Sequence, residues 1–257
     1  LCEHALPRIP RRLNHLGLPK PERLRHIGWD IGALALARDL SARLDAALFH
    51  TSYSRLVVDC NRPLDNPSLM PEVSETTVIP GNCNLEPAER DERLKVLFHP
   101  FQTAVSRRLD LRRAAGKRTF VVGVHSYTPI YKGVARPWHA GILYAGATGF
   151  AGRMIHALEQ QSGLVIGDNE PYRIDHDDYT VPVHGDARGL PALLITLVEM
   201  GPRTTASTSV TRARPTAWET LDSIGEGVIT TDAVGHIDYM NQAAEQLMGI
   251  AAPDAIG

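Results

Sequence analysis

Residues 120–129 read FVVGVHSYTP, and this stretch decides the fold of the chain. Its apolar, β-branched and uncharged residues predict a buried strand, which Pro129 terminates. Because polar and apolar residues do not alternate, both faces of the strand must be covered, which indicates a central strand with helices on either side of the sheet. His125 then lies at the carboxyl end of a buried strand, where open α/β sheets bind their ligands. The alternative is a histidine that only hydrogen-bonds a neighbouring loop.

Strands and helices alternate on both sides of this central stretch. Apolar spacing and capping signals predict three helices, over residues 31–47, 87–116 and 152–161. Short apolar runs predict further strands over residues 46–51, 56–59, 140–144, 164–167 and 193–198. Such alternation predicts an α/β fold, a three-layer sandwich around a mainly parallel or mixed central sheet. The proline-rich residues 63–85 are predicted to form a long surface loop of the kind that often carries function.

The composition is that of an ordinary soluble globular protein. Of 257 residues, 43% are hydrophobic and 22% are charged, and the net charge of −2 argues against a surface for nucleic acid or anionic membranes. No apolar run approaches the ~20 residues of a membrane-spanning helix. The three cysteines are irregularly spaced and do not make a disulfide framework, so we expect reduced thiols and a cytoplasmic location. Both ends of the sequence interrupt a pattern, and we expect both to be truncated.

The pattern changes character after residue 200, which predicts a domain boundary. Residues 1–200 carry the α/β pattern, whereas residues 201–216 have almost no large apolar side chains and are predicted to be a linker. Residues 217–257 contain two short apolar runs around a turn-like centre at 232–236, followed by a helical pattern. A β-hairpin and a helix are therefore predicted for this second segment, which is too short to bury a core of its own.

Polar residues that follow the predicted strands form a candidate metal site. Four polar clusters lie at apparent strand ends or loop starts: Glu3-His4, Asp30, Asp59-Cys60-Asn61-Arg62 and His125. Together they offer two histidines and at least one carboxylate from separate strand ends. Such a set is the usual ligand group of a catalytic zinc ion that keeps one coordination position open. The pair Asn61-Arg62 offers an amide and a guanidinium, the natural partners of a substrate carboxylate. A surface salt bridge is the alternative interpretation of Arg62.

Several sequence blocks resemble the N-formylglutamate amidohydrolase family. They are CEHA at 2–5, WDIGA at 29–33, SRLVVDCNRP at 54–63, HSYTP at 125–129, GDNEPY at 167–172 and HG at 184–185. The resemblance covers residues 1–200 and implies a zinc-dependent amidase with a phosphorylase/hydrolase-like fold related to the zinc carboxypeptidases. The implied reaction removes a formyl or other small acyl group from an N-acylated acidic amino acid, a small substrate that carries a carboxylate.

The resemblance also implies roles for individual residues. His4 and His125 match the metal-site histidines of the family, and Asp30 is the expected third ligand of one Zn²⁺ ion. Asn61 and Arg62 match the pair that holds the substrate carboxylate. Further substrate-binding candidates are Arg55, Asn169, Tyr172 and His184.

The implied mechanism is attack of a metal-bound water on the amide carbonyl, while a nearby carboxylate moves the proton to the leaving amine. Members of the family carry a glutamate in the last apolar strand, but this chain has Thr196 there, and a hydroxyl cannot replace a carboxylate as the base. Glu199 lies three residues further on and faces the other side of a regular strand. Three explanations remain: a bulge re-aims Glu199, Glu170 serves as the base, or the enzyme is weakened or inactive.

Residues 217–257 resemble the first part of a PAS sensory domain. The residues that carry this resemblance are SIGEGVITTD at 223–232 and MNQAAEQLMG at 240–249. It implies an incomplete α+β fragment that precedes signalling domains lost by truncation. Together with Thr196, it supports an alternative function, a catalytically weakened amidohydrolase-like sensor that binds a small carboxylate ligand. A plain α/β domain with chance motif matches is the third interpretation.

Overall fold

The computed structural model describes residues 1–161, 163–199, 229–231 and 237–240, and the chain divides into two units, Leu1–Gly201 and Pro202–Gly257. In the first unit the α-helices are α1 (Lys20–Arg23), α2 (Ala33–Leu44), α3 (Pro87–Arg93), α4 (His99–Ala114), α5 (Thr148–Glu159) and α6 (Thr180–His184). The strands are β1 (Val73–Ser74), β2 (Thr77–Val78), β3 (Val121–Tyr127), β4 (Ile130–Tyr131), β5 (Val134–Ala135), β6 (Ala140–Leu143), β7 (Ile166–Asp168) and β8 (Ala192–Val198). Short 3₁₀ segments cover Arg11–Gly17, Pro67–Leu69, Pro80–Asn82 and Asp186–Arg188.

The central sheet has four strands in the order β3-β8-β6-β7 and is mixed. β3 is parallel to β8, β8 is antiparallel to β6, and β6 is parallel to β7. On its other side, β3 is hydrogen-bonded to the start of the chain, because the Leu1 nitrogen donates to the Val122 carbonyl at 2.6 Å. Cys2 in turn forms a single parallel bridge to His50. The strand predicted over residues 46–51 is therefore reduced to this one bridge. β3 therefore has a bonded neighbour on each side, as predicted for a central strand.

Helices cover both faces of this sheet. On one face, Val121 of β3 packs in a cluster with residues of α4 and α6. On the other face, Val124 packs against α2, while Ile142 and Leu193 pack against α5. The predicted mixed α/β fold is therefore confirmed, and His125 lies towards the carboxyl end of β3, the end at which open α/β sheets bind ligands.

The three predicted helices are present, with ends that differ by a few residues. The long helix predicted over 87–116 consists of α3 and α4 joined by a π-helical turn, Leu94–Phe98. Gly116, which was expected to stop this helix, has a φ of +63°. Glycine adopts this left-handed conformation without steric cost, so it suits the position just after a helix.

The strand predicted over 56–59 is wrong. Leu56 and Val57 are buried, but the chain forms turns there. Side chains satisfy two carbonyls of this stretch: Asn82 Nδ2 donates to the Leu56 carbonyl at 2.9 Å, and Arg93 Nη1 donates to the Val57 carbonyl at 3.1 Å. Arg93 is only 1% exposed, so the buried carbonyls of this segment are satisfied without a neighbouring strand.

Two expectations from composition concern membranes and thiols. Within the part of the chain that the structure describes, no helix has both the length and the apolar character required to cross a bilayer. Cys2, Cys60 and Cys83 are free thiols, and burial raises the pKa of Cys60, which keeps it unreactive.

The second unit is described only at two short strands. β9 (Ile229–Thr231) pairs with β10 (Ile237–Met240) in antiparallel fashion, as expected for the predicted hairpin. The predicted linker, residues 201–216, and the rest of the segment that resembles a PAS domain lie outside the described residues, and the two described strands are no evidence of a PAS domain.

Candidate metal centre

Three buried polar side chains meet at the carboxyl end of β3. His125 lies in β3, His4 follows the residues paired with β3, and Asp30 precedes α2, where Gly32 has a φ of +86° and leads the chain into the helix. Asp30 Oδ2 lies 2.8 Å from His125 Nδ1 and 3.2 Å from His4 Nδ1. The centroids of the two imidazole rings are 4.7 Å apart, and the ring planes cross at 79°. The three residues singled out from the sequence thus converge in the structure.

This group can hold a metal ion. One ligand atom from each side chain lies within 4.8 Å of the other two, and all three residues are buried. Two imidazole nitrogens and one carboxylate oxygen form a ligand set that suits Zn²⁺ and leaves a coordination position open. Among the described residues, no other set of three histidine, cysteine or acidic side chains meets this condition.

A buried carboxylate lies behind each histidine. His4 Nε2 lies 2.7 Å from Asp59 Oδ1, and His125 Nε2 lies 3.2 Å from Glu3 Oε2. Both carboxylates are almost fully buried, at 2% and 1% exposure. A carboxylate on one ring nitrogen fixes the orientation of the ring, so the Nδ1 atoms of both histidines are turned towards Asp30.

The buried histidines and carboxylates of this site favour each other's charged forms. Burial alone lowers the pKa of His125, but the neighbouring carboxylates of Asp30 and Glu3 outweigh it and raise the pKa to about 10. Burial raises the pKa of Glu3, yet His125 brings it down to about 2. In the same way, the pKa of Asp30 is lowered by His4 and that of Asp59 by Arg55, despite burial. Three ionised carboxylates therefore surround two imidazoles, an arrangement that attracts a cation.

Two arginines border the metal group. Arg55 Nη2 lies 2.7 Å from Asp59 Oδ2, and Arg55 Nη1 lies 3.6 Å from Asp30 Oδ1. Arg62 Nε lies 4.0 Å from the same Asp59 oxygen, and Arg62 Nη1 donates to the Asp177 carbonyl at 2.8 Å. Both predicted substrate-binding arginines are therefore beside the group, and both are already in contact with acidic residues.

Asn61 and His184, two further predicted substrate-binding residues, are engaged in packing. Asn61 is 4% exposed, its Nδ2 donates to Asp178 at 2.8 Å, and its Oδ1 accepts from the Thr180 nitrogen at 3.0 Å. His184 is 3% exposed, and its Nε2 lies 2.7 Å from Gln102 Oε1. Burial, followed by the charge of nearby Arg188, lowers the pKa of His184 to about 4 and keeps it neutral.

Asn169, Glu170 and Tyr172 follow β7. Asn169 Oδ1 accepts a hydrogen bond from the Tyr144 nitrogen at 2.9 Å, and Glu170 is exposed. Tyr172 is partly exposed, at 42%, and its hydroxyl accepts a hydrogen bond from Arg136 Nη1 at 3.2 Å. Of these three residues, Tyr172 makes the contact that bears on an anionic ligand.

Thr196 and Glu199 lie on opposite faces of the sheet. The β3–β8 register is regular and pairs His125 with Thr196, so no bulge turns Glu199 towards the face of His125. Thr196 is fully buried, and its hydroxyl has no hydrogen-bond partner among the described residues. Ser126 Oγ donates to Glu199 Oε1 at 3.1 Å, and burial raises the pKa of Glu199 to about 7. Of the three explanations for Thr196, the bulge is therefore wrong.

Three residues of the site have no role predicted from the sequence. Glu3 adjoins His4 and Asp59 lies four residues after Arg55, so both stand in the polar clusters already noted. Spacing alone does not reveal which ring nitrogen a carboxylate faces. Arg136 follows an exposed hairpin, and nothing in its sequence surroundings singles it out.

Comparison with known proteins places the chain in a family. A family model described as N-formylglutamate amidohydrolase matches residues 1–199. The crystal structure of gene product Atu2144 from Agrobacterium tumefaciens is similar, with a TM-score of 0.72 and 40% sequence identity over 77% of this chain and 78% of that chain. No curated protein matches significantly. Because the family match spans most of the chain and every residue of the metal group, this chain belongs to the N-formylglutamate amidohydrolase family.

Proposed function

We propose that the chain is a metal-dependent amidohydrolase that removes a formyl or other small acyl group from an N-acylated acidic amino acid such as N-formyl-L-glutamate. Membership of the family supports hydrolytic activity on substrates of this type. The single observation that carries the metal dependence is the convergence of His4, Asp30 and His125, whose ligand atoms lie within 4.8 Å of one another.

The three side chains hold one divalent cation, and the donor set favours Zn²⁺. When bound, the cation supplies a Lewis acid that polarises the amide carbonyl and lowers the pKa of water. Asp59 and Glu3 keep His4 and His125 oriented with their Nδ1 atoms towards the cation.

Arg55 and Arg62 supply the positive charge that an acidic substrate needs. Their side chains are 25% and 23% exposed, so both can be reached from solvent. Two arginines and a divalent cation together balance the charges of Glu3, Asp30, Asp59 and Asp178, the last of which lies 3.6 Å from Arg62. The bound cation therefore removes the net negative charge that would otherwise repel a substrate carboxylate.

Glu199 is the proposed base. It lies on the opposite face of the sheet from His125, but it is close enough to Asp30 and Arg55 for their charges to act on its pKa. It accepts a proton from the attacking water and delivers it to the amide nitrogen as the C–N bond breaks, so that formate and the free amino acid leave. A pKa of about 7 suits a group that accepts and then donates a proton near neutral pH. Glu170, the other candidate, is exposed in the turn after β7.

Thr196 favours a second candidate function, a protein that binds the same small carboxylate ligand with weak or no turnover. Its hydroxyl is buried beside His125 in the position of the family glutamate and is without a partner among the described residues. Such a protein retains the cation site and the arginines but lacks an effective base. The tail that resembles a PAS domain lies almost wholly outside the described residues and does not weigh on this choice.

Turnover of N-formyl-L-glutamate by protein supplied with Zn²⁺ tests the proposal, with formate release and bound metal as the two measurements. We expect one metal ion per chain and measurable turnover. His125→Asn should abolish both, whereas His156→Asn, at an exposed histidine of α5, should change neither. One bound metal ion without turnover would favour the second candidate, and failure to bind metal would contradict the proposed centre.

A further inference from the structure

Arg136 lies among three tyrosine rings, here called the tyrosine cage (Tyr127, Tyr131 and Tyr172). Its Cζ is 4.6 Å from the ring centroid of Tyr131, 4.9 Å from that of Tyr172 and 5.6 Å from that of Tyr127. A guanidinium stacked on aromatic faces is held in place and loses water from its own faces. The cage therefore presents a rigid, partly dehydrated cation.

The cage lies beside the metal centre. Tyr127 follows His125 by two residues in β3, so both side chains point to the same face, about 7 Å apart along the strand. Tyr172 packs edge-on against Tyr127, with ring centroids 6.3 Å apart. Arg136 therefore lies on the same side of the sheet as His125, next to the position two residues further along β3.

Arg136 differs from the other two arginines in its partners. Arg55 and Arg62 both contact Asp59, but no described carboxylate lies within ion-pair distance of Arg136. Its Nη1 donates to the Tyr172 hydroxyl and, at 3.4 Å, to the Thr128 carbonyl. Its Nε and Nη2 have no acceptor among the described residues, and guanidinium N–H groups in this fork form two-point contacts with carboxylates.

We propose that Arg136 is a specificity-determining residue that binds the side-chain carboxylate of the substrate, and that it selects N-acyl amino acids with two carboxylates. This inference rests on the proposed function. Arg55 and Arg62 are next to the metal ligands and suit the carboxylate nearer the scissile amide. Arg136, further along the strand, suits the more distant one.

Substrates that differ only in this distal group test the assignment. N-formyl-L-glutamine has nearly the same shape as N-formyl-L-glutamate and keeps the α-carboxylate, but its side chain is neutral. The parent should favour N-formyl-L-glutamate in kcat/KM. Arg136→Gln should reduce that preference roughly 10–100-fold, the range expected for a lost charged hydrogen bond, mainly through KM. The rate with N-formyl-L-glutamine should hardly change.

Two further variants control for charge and for folding. Arg136→Lys keeps the positive charge but loses the planar fork, so it should retain part of the preference. Arg107→Gln removes an exposed arginine of α4 and should leave the preference intact. If Arg136→Gln does not fold, Arg136→Lys still tests the assignment. A preference for N-formyl-L-glutamate as large in Arg136→Lys as in the parent would overturn the assignment.

Binding separates this inference from the proposed hydrolysis. Calorimetry with the same two compounds measures the preference even if the parent shows no turnover. A binding preference that Arg136→Gln removes would support the subsite although hydrolysis fails. A preference that the variant keeps, in binding or in turnover, would refute the role of Arg136 whatever the rate of the parent.

Discussion

At the scale of the single residue, Thr196 is the position where we expect the proposed site to lack a base, because a hydroxyl of ordinary pKa cannot replace a carboxylate. Thr196→Glu places a carboxylate on the same face as His125, opposite Gly141, which has no side chain. A correctly placed base contributes roughly 10²–10⁴-fold to a rate, so we expect kcat for N-formyl-L-glutamate to rise at least tenfold. Thr196→Gln, of similar shape but without the charge, is the control. If the parent is active and Thr196→Glu has the same kcat, then Thr196 does not limit the rate of hydrolysis.

Glu199 gives a second prediction, in the pH profile. With a pKa of about 7, the carboxyl is protonated at pH 6 and ionised at pH 8, so kcat of the parent should rise between these values. Glu199→Gln should lower kcat roughly 10²-fold and remove this rise. Glu170→Gln, at an exposed residue, should keep both the rate and the profile. A parent profile that is flat near pH 7 would exclude Glu199 as the base.

Residue types at strand ends allowed the metal group to be predicted, because few side chains other than histidine and carboxylates bind zinc. The partners of those side chains could not be predicted. For Asn61 and His184, substrate binding stays a prediction; in the structure Asn61 binds Asp178 and His184 binds Gln102, 117 and 82 residues away in sequence. Spacing within a motif carries no information about such distant partners.

At the scale of the element, β6 passes closely under the turn that follows β7. A Cβ at Gly141 would lie 1.9 Å from the Glu170 carbonyl oxygen, a backbone atom that cannot move aside cheaply. Gly141→Ala should therefore lower the free energy of unfolding by roughly 1–3 kcal/mol or more. Gly152→Ala in α5, where a Cβ meets no atom within 4 Å, should instead raise it by about 0.5–1 kcal/mol. Urea denaturation measures both, and equal effects of the two changes would contradict this packing.

The α6 segment carries a prediction about acid stability. Burial lowers the pKa of His184 from its ordinary 6.5 to about 4, so between these pH values the unfolded chain binds a proton that the folded chain does not. The contribution of His184 to the free energy of unfolding is fully present above pH 6.5 and is lost as the pH falls towards 4. At pH 5 the loss is on the order of 2 kcal/mol. In urea titrations at pH 5 and pH 7.5, His184→Gln should show a smaller difference than the parent, and equal differences would refute the assignment.

Helices and β8 were predictable from local patterns, whereas the turns at Leu56 and Val57 were not. An apolar run predicts burial, and burial was correct at both residues. Burial implies a strand only if neighbouring backbone supplies the hydrogen bonds. Here Asn82 and Arg93 supply them through side chains.

At the scale of the whole molecule, the metal centre should couple to stability. His4, Asp30 and His125 are distant in sequence and converge only in the folded chain, so a cation binds the folded state in preference. At a concentration of 100 Kd, such binding stabilises by about 2.7 kcal/mol, which for a unit of this size raises Tm by roughly 5–10 °C. Thermal unfolding with Zn²⁺ and with a chelator measures the shift. His125→Asn should show none, and an equal shift in that variant would point to a different site.

The class of the fold was predictable, but the order of its strands was not. Alternating strands and helices indicate an α/β sheet, and β3 was correctly recognised as a strand with neighbours on both sides. That one of these neighbours is the stretch at Leu1 and Cys2 depends on pairing with residues 50 and 122. No local pattern encodes pairing at that distance.

The position of Leu1 beside β3 has a consequence for biosynthesis. The Leu1 nitrogen donates to the Val122 carbonyl and the Leu1 carbonyl accepts from the Val124 nitrogen, so the stretch from Leu1 to His4 cannot take its final position until β3 has formed. During translation, His4 must therefore wait for more than a hundred later residues to leave the ribosome before it meets His125. The nascent chain therefore acquires its cation site only after β3 has been made, and until then His4 and its neighbours are exposed to chaperones and proteases.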